Sequence, residues 1–383
     1  MKIAHLADLH LGYRAYHRST SRGVNQREAD VADAFRRAVA QVVELRPDLV
    51  LVAGDVFHSV RPSNTAIAEA FRQFSVLSER LPGVPVVMIA GNHDSPRSAD
   101  TGNILSLFRE IEGMRVVFEE CQPVKLPEIE TTVLCMPHVA LAVDHETVME
   151  PDPKARHTVL MLHAEITDKD GEPRYRSEFG GAQVPESAIR PGAWSYVAAG
   201  HHHEAVALGK ANAWYAGAIE RTSAFIWQER MAKGFLLFDT ETGRAEHQPV
   251  ETRAILDLPR IEGRGLSPAE IDERVRAAVE RVEDGIDGKM VRLVVHDVPR
   301  AVVRELNHRR IREWKAEALH FHLDLRPPEV RRRAATGAPV KRQTLKEQVE
   351  SFLGQWKPSR QHIEKDRLVA MGAEYVEQAA EAS

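Results

Sequence analysis

Five short segments of the chain place metal-binding side chains directly after apolar runs. They are Asp8-Leu9-His10, Gly54-Asp55-Val56-Phe57-His58, Gly91-Asn92-His93-Asp94, His163 after Val159-Leu160-Met161-Leu162, and Gly200-His201-His202-His203. Functional groups of open α/β sheets gather at the carboxyl ends of strands, where loops reach a shared crevice. Five strand ends delivering His, Asp and Asn to one edge therefore imply a metal site, although any one segment alone reads as a strand-end turn. Asp8 and His10 differ by two, so in an extended chain they point the same way and could grip one ion. His201 and His203 do likewise, with His202 pointing elsewhere. Gly54, Gly91 and Gly200 let the backbone turn sharply. Imidazole nitrogen with carboxylate or amide oxygen, and no thiolate, favours manganese, iron or zinc over soft copper; we take manganese.

The charge points to the substrate. Two divalent ions bring four positive charges and Asp8 and Asp55 return only two, which suits an anionic group such as a phosphodiester. Asp55 is the natural bridge between the metals, and His93 is placed to protonate a leaving oxygen as general acid.

The elements that must position these residues follow from periodicity. Strands are expected at Lys2–Ala7, Leu49–Ala53, Val84–Ala90, Thr131–Met136, Thr158–Leu162, Tyr196–Ala199 and Gly234–Phe238. Several are near-continuous apolar runs, as in strands covered on both faces. Amphipathic helices are expected at Glu28–Glu44 and Asn64–Arg80. Beyond Leu256 the character changes. A helix from Pro268 to Val282 with Ser267 as N-cap, a strand Met290–Val295, a basic helical segment Arg300–Ala318 and a strand near His320–Leu325 suit a small α+β domain. Glu329–Gln343 reads as a linker. Thr344–Trp356 then carries Leu345, Val349, Phe352, Leu353 and Trp356 at helical spacing, and a second helix runs from about Ile363 to Ala379.

At 383 residues the chain exceeds one ordinary core, so two or three domains are expected. The net charge of −5 speaks mildly against nucleic acid, but its distribution matters more. Arg300 to Arg342 holds twelve Lys/Arg against five Asp/Glu. Arg309, Arg310 and Arg312, close to Trp314, are the candidate DNA contacts; the competing reading is a solvated face. Cys121 and Cys135 have neither knuckle spacing nor a disulfide framework. An acid at Asp8 interrupts any leader-like apolar stretch, and no run approaches the ~20 residues that cross a bilayer. The expectation is a cytoplasmic, nucleoid-associated protein with no membrane partner.

The five segments, in order over roughly 200 residues, resemble the calcineurin-like metallophosphoesterase motifs D-x-H, G-D, G-N-H-D, H and G-H-x-H. Asp8-Leu-His-Leu-Gly-Tyr13, Asn25-Gln-Arg-Glu-Ala-Asp30, Gly54-Asp-Val-Phe-His58 and Tyr215-Ala-Gly-Ala-Ile-Glu-Arg-Thr222 are similar to the SbcD nuclease branch. That branch is the bacterial and archaeal counterpart of the eukaryotic meiotic-recombination nuclease. The resemblance implies a four-layer α/β/β/α metallophosphoesterase domain at 1–255, an α+β DNA-capping domain at 256–328, a basic linker at 329–343 and a helical ATPase-binding tail at 344–383. It implies a manganese-dependent DNA nuclease, a 3′-to-5′ exonuclease on duplex ends and an endonuclease on single strands or hairpins. Such a nuclease works as a homodimer with an SbcC-type, SMC-like ATPase docked on the tail.

Carried over residue by residue, the resemblance assigns Asp8, His10, Asp55 and His203 to the first metal. Asp55, Asn92, His163 and His201 go to the second. His93 assists the leaving group with Asp94 orienting it, and His58 supports exonuclease action; a buried structural histidine is the other reading of His58. His202 is expected in solvent or behind the ligands, and His5, His138 and His157 as structural. The chain departs from the branch at Ala218, where a serine is usual, which removes one hydroxyl hydrogen bond. Two rivals remain open: a phosphoesterase for small molecules or phosphoproteins, against which the basic cap and tail argue, and a non-catalytic adaptor, against which the complete ligand set argues.

Overall fold

The structure, a computed structural model, describes residues 1–96, 102–143, 149–175, 180–328, 349, 352–353 and 367–372. It divides into two compact units, Met1–Pro327 and Pro328–Ser383.

In the first unit two six-stranded sheets lie face to face. One runs in the order Arg244–Pro249, Gly234–Asp239, Lys2–Leu6, Leu49–Ala53, Val86–Ile89, Met114–Val117. Its strands from Lys2–Leu6 to Met114–Val117 are parallel, with the Gly234–Asp239 hairpin antiparallel at one side. The other runs Val206–Ala207, Ala213–Tyr215, Tyr196–Gly200, His157–His163, Thr131–Met136, Gln122–Leu126.

Alternation along each strand splits the core. Leu49, Leu51, Ala53, Val87 and Ile89 face inward onto Val133, Val159, Met161 and Ala198. Val50, Val52, Val86 and Met88 face outward onto Phe35, Val39, Phe74 and Leu77, which belong to the helices Gln26–Leu45 and Asn64–Arg80. Leu160, Leu162, Val197 and Ala199 face outward from the second sheet onto Leu141, Ile189 and Trp194. Strands buried on both faces carry near-continuous aliphatic sequence, as expected of central parallel strands. The four-layer α/β/β/α architecture is therefore present, the fourth layer built from short helices at His138–Val143 and Glu186–Ile189. Asn25 and Ser63 accept backbone N–H groups at the starts of the two long helices.

A third, all-parallel sheet centres on Met290–His296. His320–Leu325 flanks it on one side, and Ile255–Asp257 and Ile261–Glu262 share the other. The helix Pro268–Glu280 opens with the expected Ser267, in a capping box with Glu270. The basic segment is two helices, Arg300–Glu305 and His308–Glu317, broken where Leu306 is extended and Asn307 caps the second. Ile271, Val275, Val291, Leu293, Val295 and Phe321 form a separate core here.

In the second unit residues 349, 352–353 and 367–372 are helical. A Cβ on Gly372 would stand 2.6 Å from Leu353 Cδ1 and 3.2 Å from Val349 Cγ1, so the two helical pieces touch at this glycine. Phe352 is 69% exposed. Leu345, Trp356 and the expected linker lie outside the described residues. No described helix is long and apolar enough to cross a membrane.

Candidate metal centre

The five segments meet at one edge of the two sheets, and the main chain does much of the positioning. Asp8, His10 and Asp55 adopt left-handed backbone, with φ of 51°, 47° and 51°, and His201 has φ of 104°. Such conformations cost about 1–3 kcal/mol each away from glycine and persist where tertiary contacts enforce them. Those contacts are cross-connections between segments. Asp8 N–H donates to the Gly54 carbonyl (3.1 Å), His10 N–H to the Asp55 carbonyl (2.9 Å), and His201 N–H to the Asp8 carboxylate (3.1 Å). The reading of Asp8 and His10 as alternate residues of an extended strand is corrected here. The strand ends at Leu6, and consecutive left-handed turns, not β alternation, bring the two together.

Two groups of potential ligands result, each with ligand atoms within 4.8 Å of one another: Asp8, His10 and His203, and Asp55, His163 and His201. His201 and His203 thus fall in different groups, contrary to their grip on a single ion expected from spacing. Asp55 joins the two, its Oδ2 lying 3.3 Å from His163 Nε2 and 3.7 Å from His10 Nε2. The Asn92 amide oxygen completes the second group at 3.0 Å from His163 Nε2 and 3.1 Å from His201 Nδ1. Glycine is obligatory beside it: a Cβ on Gly91 would overlap the Asp55 carboxylate, and one on Gly54 the His163 ring.

The atoms fit divalent ions. His163 Nδ1–H donates to the Ala53 carbonyl (2.8 Å), which turns Nε2 toward Asp55. His10 Nε2 and His203 Nε2 stand 3.0 Å apart. Among the described residues, His201 Nε2 and His203 Nδ1 are buried with no hydrogen-bond partner. Burial holds His10 and His203 well below the usual imidazole pKa and His201 at about 3, so these rings are neutral and free to ligate. Burial works against the Asp55 charge, but His163, itself raised to about 9 by Asp55 in spite of its own burial, outweighs it and keeps this carboxyl well below its usual range. Burial, opposed by His163 and reinforced by Asp55, pushes Asp8 up to about 8. Nearby cations would relieve that conflict by stabilising both carboxylates.

His93 and His58 sit beside this cage. His10, His58 and His93 form a third group, with the His58 and His93 rings stacked at 5.1 Å. His93 N–H donates to Asp55 Oδ1 (2.9 Å), and its ring Nδ1–H to the His58 carbonyl (2.9 Å). Asp94 holds the Asp55 loop. Its buried carboxylate accepts the backbone N–H groups of Val56 (3.0 Å), Phe57 (2.8 Å) and Gly91 (3.1 Å), clamping the Asp55 loop. The His93 ring meets the His58 carbonyl, and Asp94 bears on His93 through the Asp55 loop it clamps.

Other expectations fare unevenly. His5 is structural, buried between the sheets with Nδ1 2.9 Å from the Tyr196 hydroxyl. His202 is buried and stacks on Tyr175 at 5.2 Å. His138 lies closer to the centre than expected, its ring 6.5 Å from that of His163. Ala218 is buried, and its backbone bonds to the His203 carbonyl and to Gly234 N–H. Arg309, Arg310 and Arg312 lie on the helix His308–Glu317. Arg309 and Arg310 both pair with Glu313, at 3.2 and 2.9 Å. Trp314 beside them is core, 3% exposed, and is not available to stack on a base.

Sequence reasoning missed a buried ionic strut. Arg27, 1% exposed, binds Asp30 (2.8 Å), Glu220 (3.3 Å) and the Arg221 carbonyl (2.7 Å). Arg253 joins it by donating Nε–H to Asp30 (2.6 Å) and Nη1–H to the Gly288 carbonyl (2.7 Å). The strut thus links the first long helix, the 220 loop and the third sheet. The Asn25–Asp30 run carried its signal: an Arg and an Asp three apart, capped by Asn.

A fold of two facing sheets with this Asp, His and Asn set at one edge defines a class. The family model described as calcineurin-like phosphoesterase matches residues 1–205, and the chain belongs to that family. Among curated proteins it is similar to the DNA double-strand break repair protein Mre11 of several archaea. Identity is 28% over 295 residues with that of Archaeoglobus fulgidus, covering 67% of this chain and 61% of the relative. It is 26% over 327 residues with that of Methanopyrus kandleri, covering 78% and 65%, and 36% over 110 residues with that of Methanocaldococcus jannaschii, covering 29% and 28%. In each case the match spans less than two thirds of the relative's own length.

Proposed function

We propose that the chain is a manganese-dependent DNA nuclease, degrading duplex ends 3′ to 5′ and cutting single strands or hairpins. Residues 1–255 carry the chemistry, 256–328 cap the DNA, and 344–383 bind an SMC-like ATPase beyond a linker at 329–343; the working unit is a homodimer. The observation that carries this reading is the meeting at Asp55 of two ligand groups, each of mixed histidine and oxygen donors. The Mre11 relatives supply the substrate class.

Asp8, His10, Asp55 and His203 would hold one ion, and Asp55, Asn92, His163 and His201 the other. Bound there, divalent ions supply Lewis acidity for water activation and for charge neutralisation on the phosphodiester. The chain's own groups do the rest. Ala53 and Asp94 fix the ligands through hydrogen bonds to His163 and to the Asp55 loop. His93, with Nδ1–H held by the His58 carbonyl, delivers a proton from Nε2 to the leaving oxygen.

The test is an end-labelled duplex offered to protein stripped with a chelator. Cleavage should return with Mn²⁺, and Asp55→Asn should abolish it while lowering metal content. Metal-loaded wild type that turns over a small chromogenic diester but cuts no DNA overturns the substrate assignment. Asp55→Asn with both ions and full rate overturns the site.

A further inference from the structure

Behind the ligand His203 lies a fully buried cation. Lys233 is 2% exposed, and its ammonium donates to the His203 backbone carbonyl at 2.6 Å. Its countercharge is Glu229, 3.0 Å away, whose other carboxylate oxygen accepts the Ser223 hydroxyl at 2.6 Å. The Ala218 N–H donates to the same His203 carbonyl at 3.2 Å. Ser223, Glu229 and Lys233 thus form a line of two hydrogen bonds joined by an ion pair, ending on the peptide that carries a proposed metal ligand.

A cation buried beside a site for cations is costly in itself, because the low-dielectric surroundings strengthen repulsion. Glu229 offsets the charge. What the pair adds is a strong, charge-assisted hydrogen bond to a carbonyl in a loop with little regular structure of its own. His203 lies past the end of the strand Tyr196–Gly200, so no sheet ladder fixes its peptide plane. Two donors from elsewhere in the fold fix it, Lys233 from the start of the strand Gly234–Asp239 and Ala218 from the 220 loop.

We infer that Lys233, held by Glu229 and Ser223, is a positioning residue that sets the His203 ring for the first metal pocket. This rests on the reading of His203 as a ligand. Outer-shell partners of metal-binding histidines typically contribute about 10–100-fold to metal affinity, and the same range is expected here.

The experiment is calorimetric titration of the chelator-stripped full chain with Mn²⁺, with thermal melts of the metal-free proteins beside it. Wild type should bind two ions; failure to bind any sinks the metal reading itself and is distinguishable from failure of the inference. Lys233→Met should weaken one of the two ions by about 10–100-fold and leave the other unchanged. Lys233→Arg, which keeps a charged donor, should recover much of that affinity. A folded Lys233→Met variant with wild-type affinity at both sites, even with a lowered melting temperature, makes Lys233 merely structural and overturns the proposal. If Lys233→Met does not fold, Glu229→Gln decides. It leaves the ammonium loosely held and should weaken the same ion by a smaller factor; unchanged affinity there also overturns the proposal.

Discussion

Four of the proposed metal-centre residues hold a backbone that only glycine adopts cheaply, and each is locked by a bond to another segment. The locking bonds run between Asp8 and Gly54, His10 and Asp55, and His201 and Asp8. The site is therefore assembled before any ligand arrives, which lowers the reorganisation needed during reaction. His93 differs in kind: its backbone N–H binds Asp55, while its ring Nδ1–H donates to the His58 carbonyl. His93→Ala should therefore keep both manganese ions, measured by calorimetry, while turnover falls by about 10²–10⁴-fold, the usual worth of a positioned acid. Loss of metal along with activity would make His93 a ligand and reverse its role.

Among the elements, the helix Gln26–Leu45 does two jobs. Its apolar stripe, Val31, Phe35, Val39 and Val42, covers the outer face of the first sheet. Its first turn carries Arg27 and Asp30 into the buried strut with Glu220 and Arg253. A buried ion pair gives little net stability over a well-packed apolar substitute, yet removing one partner is expensive because the others stay charged in a dry place. Arg27→Ala should lower unfolding stability by about 3–5 kcal/mol, read as a shift of the denaturant midpoint with unchanged slope. A shift below about 1 kcal/mol, as for exposed pairs, would place the network in solvent.

For the whole molecule, the division at Pro327/Pro328 separates the metal centre from the helical tail. Every proposed ligand and both long helices lie in Met1–Pro327. Cutting the chain after Glu329 should leave a folded protein that binds manganese and retains basal cleavage, while binding of the SMC-like ATPase and any ATP-dependent stimulation are lost. Leu353→Glu is a weaker probe of that interface, since Leu353 also packs on Gly372; Phe352→Glu, at a 69% exposed position, tests the surface directly. Unfolding or loss of basal cleavage on truncation would show that the tail belongs to the catalytic unit's own core.

Much of this molecule was determined by sequence alone. Near-continuous aliphatic runs at Leu49–Ala53 and Val86–Ile89 announce strands covered on both faces, and Ser267 with Glu270 announces a helix start. These are local signals of period and capping, written in neighbouring residues. The ligand types were legible for the same reason, because each lies at the end of its strand or within four positions past it. Spacing alone did not partition them: His201 and His203 go to opposite groups, Asp94 clamps the Asp55 loop, and Trp314 is core. The edge strands Met114–Val117 and Gln122–Leu126 were missed, the first being only four residues long and the second carrying Gln122, Pro123 and Lys125 among its five. Arg27 meets Glu220, and Lys233 meets His203, across 193 and 30 residues of chain that carry no periodic trace of the contact. Direction of a side chain past a strand end depends on φ at single residues, and φ there is set by hydrogen bonds from distant segments, so only the tertiary structure decides it.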